Sequence, residues 1–445
     1  MKKTLAALAC AAVAAAGLTA GSTPAQAAGA ENAGTYYNAT PTRLGDTRAS
    51  TGLLPKGKLS AGRTVSLPVL GRGGVPSSGV SAVVVNLTAI NTSSAGWLTA
   101  YASGTAKPGI SSMNFAAGWT GATTATVDVG RDGKINLNIG RGTLDVAVDV
   151  VGYYGSESGT GPHGASYLAL GGLRLEDTRP NGKLRPGQSK QIVLPWSSIP
   201  QAPSTLQALR VNLTGLGAAG NGWLTAWNGA GAAPYTSALN FAKGEVSPNS
   251  TIVPMRYIGN NEYAFTVKNT GPVAVDLLVD LEGFYTRSAD GPSFVRIPKA
   301  PTRVVDSRIG KGVAKQPLSA GRSVTVRTSS GAGFSLGFEG VATGVNPAGS
   351  TYLSIYSNDP RPGTSTVNLV KGVNRSNGVT SDYGFDETAP ESVDDFFMIY
   401  NSSARTDVIV DVTAVFGFVM PDFDLAQKRA KSAQDAARKS IQRAR

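Results

Sequence analysis

The stretch DVAVDVVGYY, from Asp145 to Tyr154, decides the fold, because the chain repeats it twice more. It returns as DLLVDLEGFY from Asp276 and, more loosely, as DVIVDVTAVFGF from Asp407. Alternate residues of a strand share a face, so Val146, Val148 and Val150 point one way and the two aspartates the other. The pattern predicts a β-strand that closes each of three copies of one unit.

Two further markers precede each closing segment in the same order. The opening motif reads RLGDTR from Arg43, RLEDTR from Arg174 and RVVDSR from Arg303, at offsets of 131 and 129 residues. Between the opening and closing markers lie SSMNF, SALNF and STVNL, which begin at Ser111, Ser237 and Ser365. Self-similarity at a fixed period indicates a repeat architecture, here of three units of about 120 residues each.

Strand-like runs separated by Gly-rich turns fill each unit, and helical periodicity appears only after Pro421. We predict an all-β fold of three tandem β-sandwich domains of jelly-roll type, followed by a C-terminal α-helix. A propeller is less favoured, because about 120 residues is too long for one blade. The predicted boundaries are 1–27 (signal peptide), 28–155, 156–286 and 287–420 (repeats, the last two with their linkers), and 421–445 (helix).

The N-terminus and the composition predict an exported, soluble protein. Lys2 and Lys3 precede an apolar run, and Ala25 and Ala27 supply a cleavage site typical of a secretory signal peptide. Cys10 is the only cysteine, and its loss with the signal peptide would exclude disulfides and thiolate sites. The net charge of +12 favours anionic polymers or surfaces as partners.

The C-terminal segment 421–445 is rich in helix formers and carries seven basic and three acidic residues, a net charge of +4. Three interpretations stay open for it: attachment to an anionic surface, docking on a partner helix, or a solvated tail. Its alanine-rich stripe buries too little area for membrane insertion. The candidate contact residues are Lys428, Arg429, Lys431, Arg438 and Lys439.

Each copy also places aromatic and hydroxyl residues at alternate positions of one strand: WLTAY, WLTAW and YLSIY. Such a face can stack on sugar rings, or it can be a cross-strand packing ladder, and we favour packing. Leu98, Leu224 and Leu353 lie on the opposite, apolar face. The candidate ligand-binding residues are Trp97, Thr99, Tyr101, Trp223, Thr225, Trp227, Tyr352, Ser354 and Tyr356.

The charged residues of the opening and closing segments are expected to form structural ion pairs, because half-buried charges persist only when paired. Arg48, Arg179 and Arg308 should pair with carboxylates of the opening or closing strand. Their candidate partners are Asp46, Asp149, Asp177, Asp280, Asp306 and Asp411. Two aspartates four residues apart on a strand lie roughly 13 Å apart, too far for a glycosidase pair.

The sequence predicts no enzyme, cofactor or metal site. The only histidine, His163, lies in a Gly-Pro linker, which argues against a Ser-His-Asp triad and against histidine-ligated metal. Calcium at the acidic segment 382–395 stays open, but the spacing of a calcium loop is missing and a solvated loop is favoured. No motif for specific nucleic-acid recognition appears.

The order RLxDTR, NLT, GWLTAY, SxxNF and DVxVDxxGYY resembles a repeat of secreted actinobacterial proteins, which stands beside cell-wall hydrolase domains or forms tandem arrays. The resemblance covers nearly all of 36–418 and is weakest in the third copy. It implies an extracellular or cell-wall location and a binding or structural role, with no catalytic residues.

The leading hypothesis is a non-catalytic protein that binds the cell envelope or extracellular polysaccharide. The alternative is a structural subunit of a secreted assembly that docks through the C-terminal helix. A glycan-active enzyme is a distant third hypothesis, and it would need carboxylates from different strands about 5 to 9.5 Å apart.

Overall fold

The computed structural model describes residues 32–49, 52–195, 206–287, 294–328, 335–357, 360–385 and 395–418. These residues form strands and turns and contain no α-helix. The predicted signal peptide and the predicted helix at 421–445 lie outside the described residues. None of the described residues forms a helix long and apolar enough to span a membrane.

The strands of the described residues fall into three successive sets of nine. Copy 1 comprises β1 (Tyr36–Asp46), β2 (Leu59–Ser60), β3 (Thr64–Pro68), β4 (Val80–Ile90), β5 (Gly96–Ala102), β6 (Met113–Phe115), β7 (Gly121–Asp128), β8 (Lys134–Ile139) and β9 (Thr143–Gly155). Copy 2 comprises β10 (Ser166–Asp177), β11 (Ser189–Pro195), β12 (Leu206–Leu216), β13 (Gly222–Trp227), β14 (Leu239–Phe241), β15 (Ser247–Pro254), β16 (Arg256–Gly259), β17 (Glu262–Asn269) and β18 (Asp276–Thr286). Copy 3 comprises β19 (Phe294–Asp306), β20 (Arg322–Thr328), β21 (Ser335–Val345), β22 (Thr351–Tyr356), β23 (Val367–Leu369), β24 (Arg375–Asp382), β25 (Gly384–Phe385), β26 (Asp395–Asn401) and β27 (Asp407–Phe418).

Each copy divides its strands between two antiparallel sheets. The first sheet, called axial below, has the order β1-β9-β4-β7, β10-β18-β12-β15 or β19-β27-β21-β24. The second, called peripheral, has the order β3-β8-β5-β6, β11-β17-β13-β14 or β20-β26-β22-β23. Each closing segment is the second strand of its axial sheet and pairs with the opening strand on one side.

The axial sheets are buried on both faces. From Ala82 to Ile90 every residue of β4 is buried, although its sequence includes Asn86 and Thr88. A sheet with one wet face would alternate buried and exposed residues, so other elements must cover the second face. One face packs on the peripheral sheet of the same copy, in three separate apolar clusters.

The second face of each axial sheet packs on the other two copies. Strands β7, β15 and β24, which hold equivalent places in the three copies, contact one another in every combination. A fourth apolar cluster draws on all three copies and contains Tyr36, Tyr154, Tyr167, Tyr285 and Phe416. The copies therefore close into a ring around a shared centre.

Six sheets in a closed ring correspond to a six-bladed β-propeller to which each copy contributes two blades. The predicted fold of three tandem jelly-roll-like sandwich domains is therefore wrong, while the helix predicted after Pro421 lies outside the described residues. The argument from repeat length failed because one copy supplies two sheets, and its strands alternate between them along the chain. Strand periodicity cannot show that the second face of a sheet is covered by another copy.

Candidate functional site

At the centre of the ring the three copies differ in charge. Val84, Arg210 and Glu339 occupy equivalent places on β4, β12 and β21, each opposite a small residue of the closing strand. A valine in one copy is thus replaced by opposite charges in the other two, and both charged side chains are only 3 to 4% exposed. Burial of this kind is tolerated only for paired, hydrogen-bonded charges.

Two guanidinium groups hold the Glu339 carboxylate between them. Arg210 donates from Nη1 to Oε1 at 2.8 Å, and Arg296 donates from Nε to Oε2 at 3.0 Å. Thr126 of copy 1 adds a third bond to Oε1 at 2.7 Å, and Arg296 also pairs with Asp128 at 2.8 Å. This axial cluster links all three copies.

The charge states in the axial cluster follow from burial and pairing. Burial alone would raise the pKa of the Glu339 carboxyl, but attraction to Arg210 and Arg296 outweighs it and leaves that pKa below its usual value. Glu282 lies 3.5 Å from Arg210, and burial raises the pKa of its carboxyl to about 7 against the opposing effect of that guanidinium. Glu339 is thus held ionised, which suits a structural counter-ion better than a proton donor.

Aromatic rings close the centre around these charges. The Tyr285 ring packs 4.4 Å from the Tyr36 ring and 4.8 Å from the Tyr167 ring, centroid to centroid, and its hydroxyl meets that of Tyr154 at 2.8 Å. Gly152 is needed here, because a Cβ at that position would lie 2.3 Å from the Tyr36 hydroxyl. The centre of the ring is therefore filled with side chains.

Two of the three junctions between copies share an asparagine pair. Asn86 donates to the Ser237 carbonyl and accepts from Asn249 at 3.0 Å, which joins copy 1 to copy 2. At the junction of copies 2 and 3, Asn212 donates to the Ser365 carbonyl at 2.7 Å and accepts from Asn377 at 3.1 Å. These buried amides satisfy one another and fix the register of neighbouring copies.

The junction of copies 3 and 1 lacks this pair, because Val341 stands where the other copies have Asn86 and Asn212, opposite the same closing-strand aspartate. A hollow of about 490 Å³, called the inner cavity, opens there. Small apolar residues such as Ala100 and Pro298 line it, and Arg210, Arg296 and Glu339 lie at its base. Its volume falls within the ~300–1,000 Å³ of typical ligand pockets.

A second hollow of about 270 Å³, called the outer groove, lies at the same junction. Copy 1 contributes Trp97 and Lys107, and copy 3 contributes Arg303, Arg308 and Asp411. The Trp97 side chain is 39% exposed, and its ring lies over Gly140, where a Cβ would come within 2.0 Å of the ring. An aromatic surface in a defined orientation thus faces a basic wall.

The structure separates the nine aromatic and hydroxyl candidates. Among them only Trp97 and Trp223 keep more than a third of their surface exposed, at 39% and 41%. The hydroxyls are buried and donate to backbone carbonyls: Thr99 to Ile110, Thr225 to Thr236 and Ser354 to Thr364. The expected hydrated face is therefore reduced to its first aromatic residue, because loops cover the hydroxyls.

The remaining aromatic candidates have structural contacts. Trp227 and Tyr356 are buried, with Trp227 donating to the Ala230 carbonyl and Tyr356 bonded to Ser323. Tyr352 is half-buried, with its ring 6.1 Å from that of Tyr400. Tyr101 is half-buried and lines the inner cavity. None of these four repeats the setting of Trp97.

The predicted arginines pair within their own motif. Arg48, Arg179 and Arg308 donate to the aspartate two residues before them, at 2.7, 2.5 and 2.8 Å. These aspartates are Asp46, Asp177 and Asp306. The hydrogen bond from Arg179, with its positive charge, lowers the pKa of Asp177 to about 2 despite partial desolvation. Among the described residues, none of these three arginines forms an ion pair with an aspartate of the closing strand, although the charges of those aspartates act on them at longer range.

The first arginine of each motif, which the sequence analysis did not consider as a partner, ties the strands together. Arg43, Arg174 and Arg303 each bond both oxygens of a closing-strand aspartate, namely Asp149, Asp280 and Asp411. Burial raises the pKa of Asp149 and of Asp411 in spite of these arginines. The identity of this arginine in all three copies was the available signal.

A β-bulge explains why strand alternation missed this arrangement. The register of β1 against β9 shifts between Arg43 and Gly45, and the other copies shift at the same place. A bulge adds one residue to a strand and re-aims the following side chains. Arg43 and Asp46 then meet at 2.7 Å, although residues three apart on a regular strand face opposite ways.

Other candidates contribute less to the site. The basic residues Lys428, Arg429, Lys431, Arg438 and Lys439 lie outside the described residues, as does most of the acidic segment 382–395. Among the residues that the structure does describe, no group of three or more His, Cys, Asp and Glu side chains could hold a metal ion. The His163 ring contacts the carbonyl of its neighbour Gly164.

Comparisons with known proteins identify no family for this chain. No protein-family model matches the chain, and no curated protein matches it. A solved structure described as the triple jelly roll fold and turret assembly in an archaeal virus has a TM-score of 0.18 and 10% identity, covering 87% of this chain and 90% of that one. The structure of infectious bursal disease virus Gx strain has a TM-score of 0.10 and 9% identity, covering 89% and 85%.

Proposed function

We propose that this protein is secreted and binds, without catalysis, a polysaccharide of the cell envelope or extracellular space, and that the outer groove receives the sugar chain. The observation that carries the proposal is the exposed Trp97 ring, which lines the outer groove together with Lys107 of its own copy and Arg308 of copy 3. An aromatic ring offers a flat apolar surface on which a sugar ring can stack.

The charges of the groove favour a polymer that carries anionic groups. Arg303 and Arg308 are balanced by Asp411 and Asp306, so the exposed ammonium of Lys107 leaves the groove with one net positive charge. The net charge of the chain, +12, acts in the same direction at long range. A cell-wall polymer of neutral sugars and phosphate or carboxylate groups meets both requirements.

The outer groove is built on a regular sheet and is therefore ordered before any ligand binds. Trp97 lies on β5, whose neighbours β8 and β6 hold it by a regular ladder, and its carbonyl accepts from Gly140 at 2.9 Å. A binding surface that is already ordered loses little conformational entropy when the ligand arrives. Binding without large rearrangement is therefore expected.

A sedimentation assay tests the proposal. Purified Gram-positive cell walls are mixed with the protein lacking residues 1–27, and the bound fraction is measured over a salt series. Trp97→Ala should weaken binding about tenfold, which corresponds to about 1.4 kcal/mol. Tyr257→Ala is the matched control, because Tyr257 is 49% exposed on β16, away from the groove.

The salt series separates the two contributions to binding. Lys107→Ala should reduce affinity at low salt and matter little at about 1 M, where the Debye length is near 3 Å. Failure of the wild-type protein to sediment with the walls at low salt would refute the proposal. So would equal binding by Trp97→Ala and Tyr257→Ala.

A further inference from the structure

Two further exposed aromatic side chains belong to copy 2, on the side where its strand β14 contacts β7 of copy 1. Trp223 is 41% exposed and Tyr235 is 91% exposed, the highest value among the exposed large apolar side chains of the described residues. Across the junction, the Arg48 side chain is 52% exposed. Large exposed rings cost free energy in water, and together with a charged neighbour they mark binding surfaces.

Correspondence between the copies makes these residues a second groove. Trp223 pairs with Asn240 as Trp97 pairs with Asn114, so the two tryptophans are equivalent. Arg48 corresponds to Arg308, since both close their opening motif. The tryptophan, both arginines and the aspartate of the outer groove thus have counterparts of the same residue type at the first junction, whereas Lys107 does not.

Direct contacts hold this second junction in place. Asn86 bonds the Ser237 carbonyl, which fixes the loop that carries Tyr235 against copy 1. Within this arrangement the Tyr235 side chain lies near that of Arg48 across the junction. The loop residue equivalent to Tyr235 in copy 1 is Gly109, two residues before the SxxNF marker in each case. The second groove therefore gains an aromatic ring that the outer groove lacks.

The charge of the second groove differs from that of the outer groove. Ala233 stands at the position of Lys107, and Arg43 and Arg48 are balanced by Asp46 and Asp149. Two aromatic rings beside an arginine whose charge is already compensated suit uncharged sugar units, which stack and accept hydrogen bonds. Anionic groups gain no net attraction there.

The junction of copies 2 and 3 shows how such a groove is closed. Its aromatic residue, Tyr352, packs on Tyr400, and the Arg361 guanidinium lies 3.9 Å above the Tyr400 ring. Thr364 and Pro362 press against Gly172, where a Cβ would lie 2.4 Å from the Thr364 hydroxyl. The rings of this junction are covered by the protein's own side chains.

We propose that Trp223, Tyr235 and Arg48 form a second sugar-binding groove, selective for uncharged sugar units, and that the protein is therefore bivalent along a polysaccharide. This inference rests on the proposed function but concerns a different surface. Two sites on one rigid ring raise the avidity for a long polymer by acting in effect intramolecularly. They also let one molecule cross-link two chains.

Titration calorimetry with a neutral N-acetylglucosamine hexamer tests the second groove. Trp223→Ala and Tyr235→Ala should each weaken hexamer binding about tenfold, and Trp97→Ala should change it less than twofold. Tyr257→Ala is again the control. Tyr235→Ala keeps the test valid if Trp223→Ala lowers stability, because Tyr235 is almost fully exposed. Absence of hexamer binding by the wild type, or equal affinity in Tyr235→Ala and Tyr257→Ala, overturns the second groove.

Cross-linking gives the bivalent readout. Wild-type protein should raise the turbidity of long hyaluronan, whose disaccharide holds one neutral and one anionic sugar, and either Trp97→Ala or Trp223→Ala should abolish this. If Trp223→Ala still raises the turbidity, bivalency is refuted, whereas the proposed binding of cell walls through Trp97 is not affected by that result. If Trp97→Ala also leaves the sedimentation with cell walls unchanged, the proposed function is refuted independently of the second groove.

Discussion

Replacement of Glu339 by valine tests whether the three copies share one folded centre. Valine is the residue that copy 1 places at the equivalent position, Val84, so the substitution keeps strand propensity and apolar character. It removes the carboxylate that pairs with both Arg210 and Arg296. Arg296 keeps Asp128 at 2.8 Å, whereas Arg210 keeps the more distant carboxylate of Glu282 at 3.5 Å and a hydrogen bond to the Ser250 hydroxyl at 3.2 Å.

The expected loss follows from an uncompensated buried charge. Removing one partner of a buried ion pair costs about 3 to 5 kcal/mol, because the other charge stays in a low-dielectric site. Arg210 is 3% exposed and cannot turn to solvent without opening the ring. The double variant Arg210→Val with Glu339→Val removes that orphaned charge, so it should recover about 0.5 to 3 kcal/mol relative to additivity.

Urea unfolding followed by circular dichroism and by tryptophan fluorescence supplies the free energies. Because the axial cluster joins all three copies, the whole transition should move to lower urea, with both probes coincident. A loss below about 1 kcal/mol, strictly additive effects in the double variant, or a shift confined to one of several separate transitions would refute the reasoning.

Three further predictions follow from single contacts. Arg43→Met should cost about 3 kcal/mol of unfolding free energy, because it strands a buried carboxylate, whereas Arg48→Met should cost under about 1 kcal/mol for its exposed pair; equal losses would contradict this. Burial raises the pKa of the Glu282 carboxyl to about 7, above its value in the unfolded chain, so protonation of this group stabilises the folded state. This stabilisation is fully present below the unfolded pKa and is lost as the pH rises through 7, which should lower the unfolding free energy by about 3 kcal/mol. Glu282→Gln should therefore flatten the pH profile of the unfolding free energy. Gly140→Ala should displace the Trp97 ring, shift its fluorescence and weaken wall binding severalfold, so an unchanged spectrum with full binding would count against the assigned groove.

Much of the local structure could be predicted from the chain. Val146, Val148 and Val150 are fully buried on one face of β9, as alternation requires, and Leu98 and Leu224 are buried in the same way. The three copies and their strand character were visible because period and spacing are properties of the sequence. These features depend on residues near one another along the chain.

The candidate binding surface could be predicted from the sequence only in part. Trp97 could be named from its strand, but Arg308 lines the same groove only because copy 3 closes onto copy 1. The charges of Arg210 and Glu339 stood out in apolar strands, yet their pairing spans 129 residues of sequence. When each copy is considered alone, Arg210 and Glu339 are unexplained charges, because each has its partner in another copy.

The sequence by itself determined the repeat, the strands and the apolar face of each, because alternation and turn residues act over a few positions. Only the tertiary structure decided that the second face of each axial sheet is covered by other copies, that a bulge aims Arg43 at the closing strand, and that the inner cavity opens at the junction of copies 3 and 1. The physical reason is that burial of a sheet's second face and compensation of a buried charge depend on groups brought together in space. Their partners lie a hundred or more residues away, beyond the reach of any local pattern.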